Sequence, residues 1–160
     1  ESLTIKRAEL GVDIKIDIDS ITIHGGLDNL HPIDIKTLPY PGFATDIQQP
    51  LTALLTQAQG QSIVTETIYT ERFKHCFELE KMGAKINVMT PSSFINGPTP
   101  LSGAEVSATD LRCGACLVIA GLIADGVTTI RNIYHIERGY EHIVEKLTAI
   151  GAQIWRETFD

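Results

Sequence analysis

CGACLVIAGLIA, residues 113–124, carries no charge and shows no polar face. Thr109-Asp110 stands just before it, with side-chain oxygens suited to cap free helix amides, and Gly126 follows it. The run therefore reads as a helix. A helix that is apolar all round is buried all round. It is too short to cross a bilayer, which takes about 20 apolar residues. Its place is the interior of a folded domain. The strands nearby have a different pattern. Ile14, Ile16 and Ile18 alternate with Lys15, Asp17 and Asp19, and Ile21 and Ile23 follow Ser20. That period of two predicts a hairpin with one apolar face and one wet face. Helices inside and sheets outside reverse the usual α/β layering.

The same grammar recurs along the chain. Leu10-Gly11-Val12-Asp13-Ile14 returns as Met82-Gly83-Ala84-Lys85-Ile86 and as Ile150-Gly151-Ala152-Gln153-Ile154. Thr45-Asp46 returns as Thr109-Asp110, and Glu71-Arg72 as Glu137-Arg138. The first unit carries an extra loop, Leu38 to Ala44 (LPYPGFA), before its Thr-Asp. Each unit opens with a helix that ends at a glycine. A hairpin and a third strand follow: 33–36 in unit one and 104–107 in unit two. A second helix then begins at Thr-Asp and runs to Gly60 or Gly126. A last strand, 63–68 or 128–133, exits at the Glu-Arg pair. Pro50 marks a first helical turn or a local distortion. The chain divides into unit one at about 1–73, unit two at about 74–140 and the start of a third at 141–160, within one partial α+β domain.

Composition narrows the function. A 43% hydrophobic and 21% charged content is that of an ordinary globular domain. A net charge of −7 argues against general binders of nucleic acid or anionic membranes, though a few local arginines can still hold small anions. No run is long enough for a membrane helix, no signal peptide is expected, and the three cysteines fit a reducing cytoplasm.

The polar residues at repeat-equivalent edges are the candidates for chemistry. Asp46 and Asp110 are helix-start acids favoured by the helix dipole, and the crowded PYPGF loop makes Asp46 the more ligand-facing of the two. Arg72 and Arg138 lie at equivalent strand exits. Arg112 lies in the first turn of the most apolar helix. Its partner is either an acid such as Asp110 or the phosphate or carboxylate of a ligand. Cys113 and Cys116 have no second pair with which to hold zinc, and Cys76 is isolated, so all three read as core packing. The histidines show no metal-ligand spacing, and there is no GxGxxG or Walker loop.

Three strings take the reading further: PYPGFATDIQQPLT (39–52), ATDLRCGACLVIAGLIADG (108–126) and IYHIERGYEHIVEKLTAIGA (133–152). With the run from Glu66 to Phe73 they resemble the C-terminal half of the UDP-N-acetylglucosamine 1-carboxyvinyltransferase family, over nearly the whole chain. The resemblance implies an inside-out α/β barrel of repeated β-α-β-α-β-β units. It also implies transfer of the enolpyruvyl group of phosphoenolpyruvate to the 3-hydroxyl of UDP-N-acetylglucosamine. The reaction passes through a tetrahedral intermediate with loss of phosphate, in the cytoplasm, as the first committed step of peptidoglycan synthesis.

By resemblance, Asp46 receives the hydroxyl proton and Asp110 is an acid near the reacting centre. Ile68 contacts the nucleotide through its backbone. Arg138 holds phosphoenolpyruvate on closure, and Arg72 and Arg112 line the same charged site. No metal or organic cofactor is implied. The family enzyme has a second domain, absent here, that supplies a cysteine general acid and further phosphoenolpyruvate contacts. Glu1 in place of Met also suggests a piece of a longer protein, inactive alone. A split-enzyme subunit completed by an N-terminal chain and a non-catalytic binding module of the same fold are the alternatives. Open sheet edges make self-association, or cover by a complementing domain, an expected property.

Overall fold

Two helices that each cross between parallel strands meet in the interior, and the sheets lie outside them. In this computed structural model residues 6, 8–24, 26 and 28–158 are described. They run β1 (Asp13–Ile16), β2 (Ile21–His24), β3 (Asp34–Lys36), α1 (Thr45–Leu55), β4 (Gly60–Thr65), α2 (Lys74–Lys81), β5 (Lys85–Met89) and β6 (Ser92–Gly97). They continue as β7 (Glu105–Ser107), α3 (Leu111–Ile123), β8 (Thr129–Arg131), α4 (Tyr134–Glu137) and α5 (Ile143–Ala149). β3 pairs in parallel with β4 across α1, and β7 pairs in parallel with β8 across α3. The larger sheet has the order β3-β4-β6-β5, with β6 antiparallel to both of its neighbours.

Residue pattern explains this layering. Ile35, Val64, Ile95 and Val106 point inward from the strands and pack with Leu55 of α1, Leu79 of α2 and Leu117 of α3 in one core cluster. On the strands' other face Asp34, Lys36, Lys85, Asn87 and Glu105 are exposed. Leu55, Leu79 and Leu117 are all 0% exposed, so truncating any one of them to Ala costs roughly 2–5 kcal/mol. Gly114 lets α4 approach α3: a Cβ there would meet Ile136 Cγ1 at 2.4 Å. The buried helices and outer sheets are those expected of the inside-out architecture.

Several local expectations change. Gly11, Gly83 and Gly151 adopt positive φ after their helices, as expected. Of the helix before Gly11, residues 1–5 and 7 lie outside the described residues. α1 stops at Leu55 and α3 at Ile123, well short of Gly60 and Gly126. Thr56 turns its hydroxyl back onto the carbonyl of Ala53, and Gly60 opens the next strand instead. The last strands are correspondingly earlier or shorter than expected, at 60–65 and 129–131. α3 is not buried all round, because Leu122 is 46% exposed where the helix emerges from the core. Pro50 lies in the second turn of α1, where it offers no amide to the carbonyl of Asp46. The β1–β2 hairpin forms in the expected antiparallel register, but its apolar face is open. Ile16, Ile21 and Ile23 are 55–60% exposed.

Candidate active site

Thr45 and Asp46 open α1 directly after the LPYPGFA loop. The helix starts on Ala44, whose side chain caps nothing, so Asp46 falls inside the first turn and faces outward. Two arginines from different parts of the chain meet it. Arg72, from the turn after β4, donates from Nη1 to Asp46 Oδ1 at 3.1 Å and to Thr45 Oγ1 at 3.0 Å. Its guanidinium carbon also lies 5.3 Å from the centre of the Tyr69 ring, within cation–π reach. Arg112, from the first turn of α3, donates from Nη2 to Asp46 Oδ2 at 3.0 Å and from Nη1 to Tyr140 Oη at 2.9 Å. Each carboxylate oxygen of Asp46 thus takes one arginine.

The electrostatics follow from these contacts. Burial alone would raise the Asp46 pKa, but the hydrogen bonds and charges of Arg112 and Arg72 outweigh it and hold the carboxyl below its usual range. The Asp46 side chain keeps 51% of its surface exposed, so these ion pairs add little to stability. They fix a charged carboxylate at the mouth of a groove of about 730 Å³. Ile68, Tyr69, Arg72, Lys74 and Asp110 also line that groove.

Asp110 behaves differently. It is the N-cap of α3, and its Oδ1 accepts from the amides of Arg112 at 2.9 Å and Cys113 at 3.0 Å. Burial opposes its ionisation, yet the two amide bonds and the nearby Arg72 charge outweigh burial and lower its pKa. His75 lies fully buried within electrostatic reach of Asp110 and Arg72. Burial chiefly, with Arg72 repulsion added against the attraction of Asp110, lowers its pKa to about 3.

Of the sequence candidates, Asp46, Arg72, Arg112, Asp110 and Ile68 gather at this groove. The acid that Arg112's guanidinium holds is Asp46; Asp110 takes the backbone amide of Arg112 instead. Arg138 does not join them. It follows α4, is exposed, and its side chain makes no hydrogen bond or ion pair among the described residues; only its backbone amide is used, donating to the Tyr134 carbonyl. Its repeat-equivalence to Arg72 does not extend to a shared contact. Tyr140, two residues on, does reach the cluster through Arg112. Sequence reasoning missed Tyr140 and also Glu66, which is 0% exposed and accepts from Thr45 Oγ1 at 2.8 Å. An acid closing an apolar strand between two threonines was the available signal for Glu66. The cysteines pack as expected. All three are buried, and burial pushes the Cys76 thiol up to about 12. Among the described residues no group of three or more His, Cys, Asp or Glu is arranged to hold a metal, and no helix is long and apolar enough to cross a membrane.

Comparison with known proteins supplies the family. The family model for EPSP synthase (3-phosphoshikimate 1-carboxyvinyltransferase) matches residues 2–147. UDP-N-acetylglucosamine 1-carboxyvinyltransferase 2 of Bacillus subtilis is 57% identical over 98% of this chain, and that of Listeria monocytogenes 56% identical over 99%. The chain spans 37% of the length of each. The crystal structure of the enolpyruvyl transferase NikO from Streptomyces tendae superimposes with a TM-score of 0.92 at 32% identity, covering 99% of this chain and 37% of that one. EPSP synthase from Acinetobacter baumannii, at 23% identity and a TM-score of 0.68 over 96% of this chain and 36% of that one, shares the fold. The chain belongs to the EPSP synthase (3-phosphoshikimate 1-carboxyvinyltransferase) family.

Proposed function

We propose that this chain is part of a cytoplasmic enzyme of peptidoglycan synthesis that moves the enolpyruvyl group of phosphoenolpyruvate to the 3-hydroxyl of UDP-N-acetylglucosamine. The observation that carries the reading is the half-exposed Asp46 carboxylate, gripped by Arg72 and Arg112 at the groove. Its similarity to enzymes named for this reaction supports the choice of substrates. Asp46 accepts the proton of the sugar hydroxyl as that oxygen bonds to C2 of the enolpyruvyl group. Two arginines beside it make Asp46 a weak base, so the proton moves as the carbon–oxygen bond forms and not before. The C3 carbon takes a proton from an acid of the rest of the protein, giving the tetrahedral intermediate. Loss of that proton and of phosphate then yields the product.

Each remaining candidate has a role in this reading. Ile68 holds the nucleotide through its backbone along the groove wall. Arg72 and Arg112 face the phosphate and carboxylate charges, where fixed cations are most effective. Asp110 holds the start of α3 and adds an acid near the reacting centre. Arg138 joins the phosphoenolpyruvate end when the rest of the protein closes over the site.

The test is release of inorganic phosphate by the full-length protein. Release that requires both phosphoenolpyruvate and UDP-N-acetylglucosamine is expected, and none is expected from the 160-residue chain alone. Nucleotide binding by the full-length protein without any phosphate release would instead make it a non-catalytic module. Turnover by the 160-residue chain alone would refute the assignment of half a site to it.

A further inference from the structure

Glu66 is a buried carboxylate that pairs with no cation among the described residues and is met by several hydrogen-bond donors. Its Oε1 accepts from Thr37 Oγ1 at 2.7 Å, Ile68 N at 2.9 Å and Tyr69 N at 3.0 Å. Its Oε2 accepts from Thr45 Oγ1 at 2.8 Å. A carboxylate only accepts, so the single hydroxyl hydrogen of Thr45 is committed to Glu66. The lone pairs of Thr45 are then left for Arg72 Nη1, 3.0 Å away, which only donates. We infer that Glu66 is a positioning residue: through the Thr45 hydroxyl it sets the direction of a hydrogen-bond chain that aims Arg72 at Asp46. The chain runs Arg72 to Thr45 to Glu66, from the groove into the core.

The polarity argument separates this role from simple support. The Oε1 position faces three donors, so a glutamine at residue 66 must place its carbonyl oxygen there. Its amide NH2 then faces Thr45 and donates to it. The Thr45 hydrogen then loses the acceptor that held it and is free to turn, so the direction of the hydroxyl toward Arg72 is no longer fixed. Glu66→Gln therefore keeps size and most contacts but removes the acceptor that fixes the Thr45 hydroxyl for Arg72. Thr45→Val removes the same link while leaving the three bonds to Oε1 intact. Thr45→Ser keeps it.

The inference rests on the transferase reading for its kinetic arm alone. In the full-length protein, E66Q and T45V are each expected to lower kcat roughly 10- to 100-fold, the value of a hydrogen bond to a charged group. The KM for UDP-N-acetylglucosamine is expected to stay within about 3-fold for T45V, which leaves Glu66 bound to the Ile68 and Tyr69 amides. T45S is expected to restore most of the lost rate. The double variant E66Q/T45V is expected to be no slower than the slower single variant, because both break one chain. Multiplying effects, or T45V turning over at the unsubstituted rate, would overturn the inference. Titration of the Asp46 carboxyl by carbon NMR, assigned by its loss in D46N, supplies a readout that needs no activity. Its midpoint is expected to rise in T45V and to return in T45S. An unchanged midpoint in a folded T45V protein refutes the coupling even where no transferase activity exists. If E66Q fails to fold, the T45V and T45S pair decides alone.

Discussion

Thr45-Asp46 and Thr109-Asp110 are the same dipeptide at the start of repeat-equivalent helices, and the two acids do different work. α3 begins one residue after Asp110, which makes that acid the cap and turns it onto the amides of Arg112 and Cys113. α1 begins at Thr45, so Ala44 takes the cap position and Asp46 falls on the second helical residue. A shift of the helix start thus takes one carboxylate off the backbone and frees it for two arginines. The extra loop of the first unit leads directly into that earlier start. A repeated scaffold acquires a site where one copy stops using its acid to hold itself together.

The comparison can be strained by acid first. His75 is buried within reach of the Asp110 and Arg72 charges, and burial chiefly, with repulsion from Arg72 against the attraction of Asp110, lowers its pKa from 6.5 to about 3. Below pH 6.5 the unfolded chain binds a proton on this histidine that the folded chain does not bind until near pH 3. Stability is therefore complete above pH 6.5 and falls as the pH drops, by about 1.4 kcal/mol per pH unit from this group. The lowered pKa values of Asp46 and Asp110 add their own losses only below 3.8. Urea unfolding at pH 7, 6, 5 and 4 is expected to show that slope in the parent protein and a much flatter line in His75→Gln. Equal slopes would show that the histidine is not held neutral beside Asp110 and Arg72.

A smaller effect separates the two acids themselves. Asp110→Ala removes a cap and is expected to cost about 1 kcal/mol, whereas Asp110→Asn, which can still cap, loses little of it. Asp46→Ala removes only exposed ion pairs and is expected to change stability by less than about 1 kcal/mol. Thermal melting of the three variants checks the ranking. If Asp46→Ala melts lowest, the division of labour between the starts is wrong.

How much of this was legible in the sequence depends on whether one element or several set the outcome. The charge-free run 113–124 gave away the buried helix, and the glycines at 11, 83 and 151 gave away helix ends. The equivalence of Asp46 and Asp110 was visible as well. Their difference was not, because the same Thr-Asp dipeptide sits two residues further into α1 than into α3, a shift that the dipeptide itself does not convey. The pairing of Arg112 with Asp46 crosses 66 residues, beyond what spacing conveys. Arg72 and Arg138 looked alike because both follow a glutamate at a strand exit. Only the first has Thr45, Asp46 and the Tyr69 ring around it. The open apolar face of β1–β2 also escaped the alternation pattern, which shows where an apolar face is but not what covers it.

The measurement closest to the central claim is a comparison of turnover and affinity in the full-length protein carrying Asp46→Ala. Phosphate release gives kcat, and calorimetric titration gives the Kd for UDP-N-acetylglucosamine. The account requires kcat to fall by roughly 10²- to 10⁴-fold, the usual contribution of a positioned base, while Kd moves by no more than about 3-fold. Equal losses in kcat and affinity, or a kcat within about 3-fold of the parent, would show that Asp46 holds the nucleotide or nothing at all, and does not take the proton.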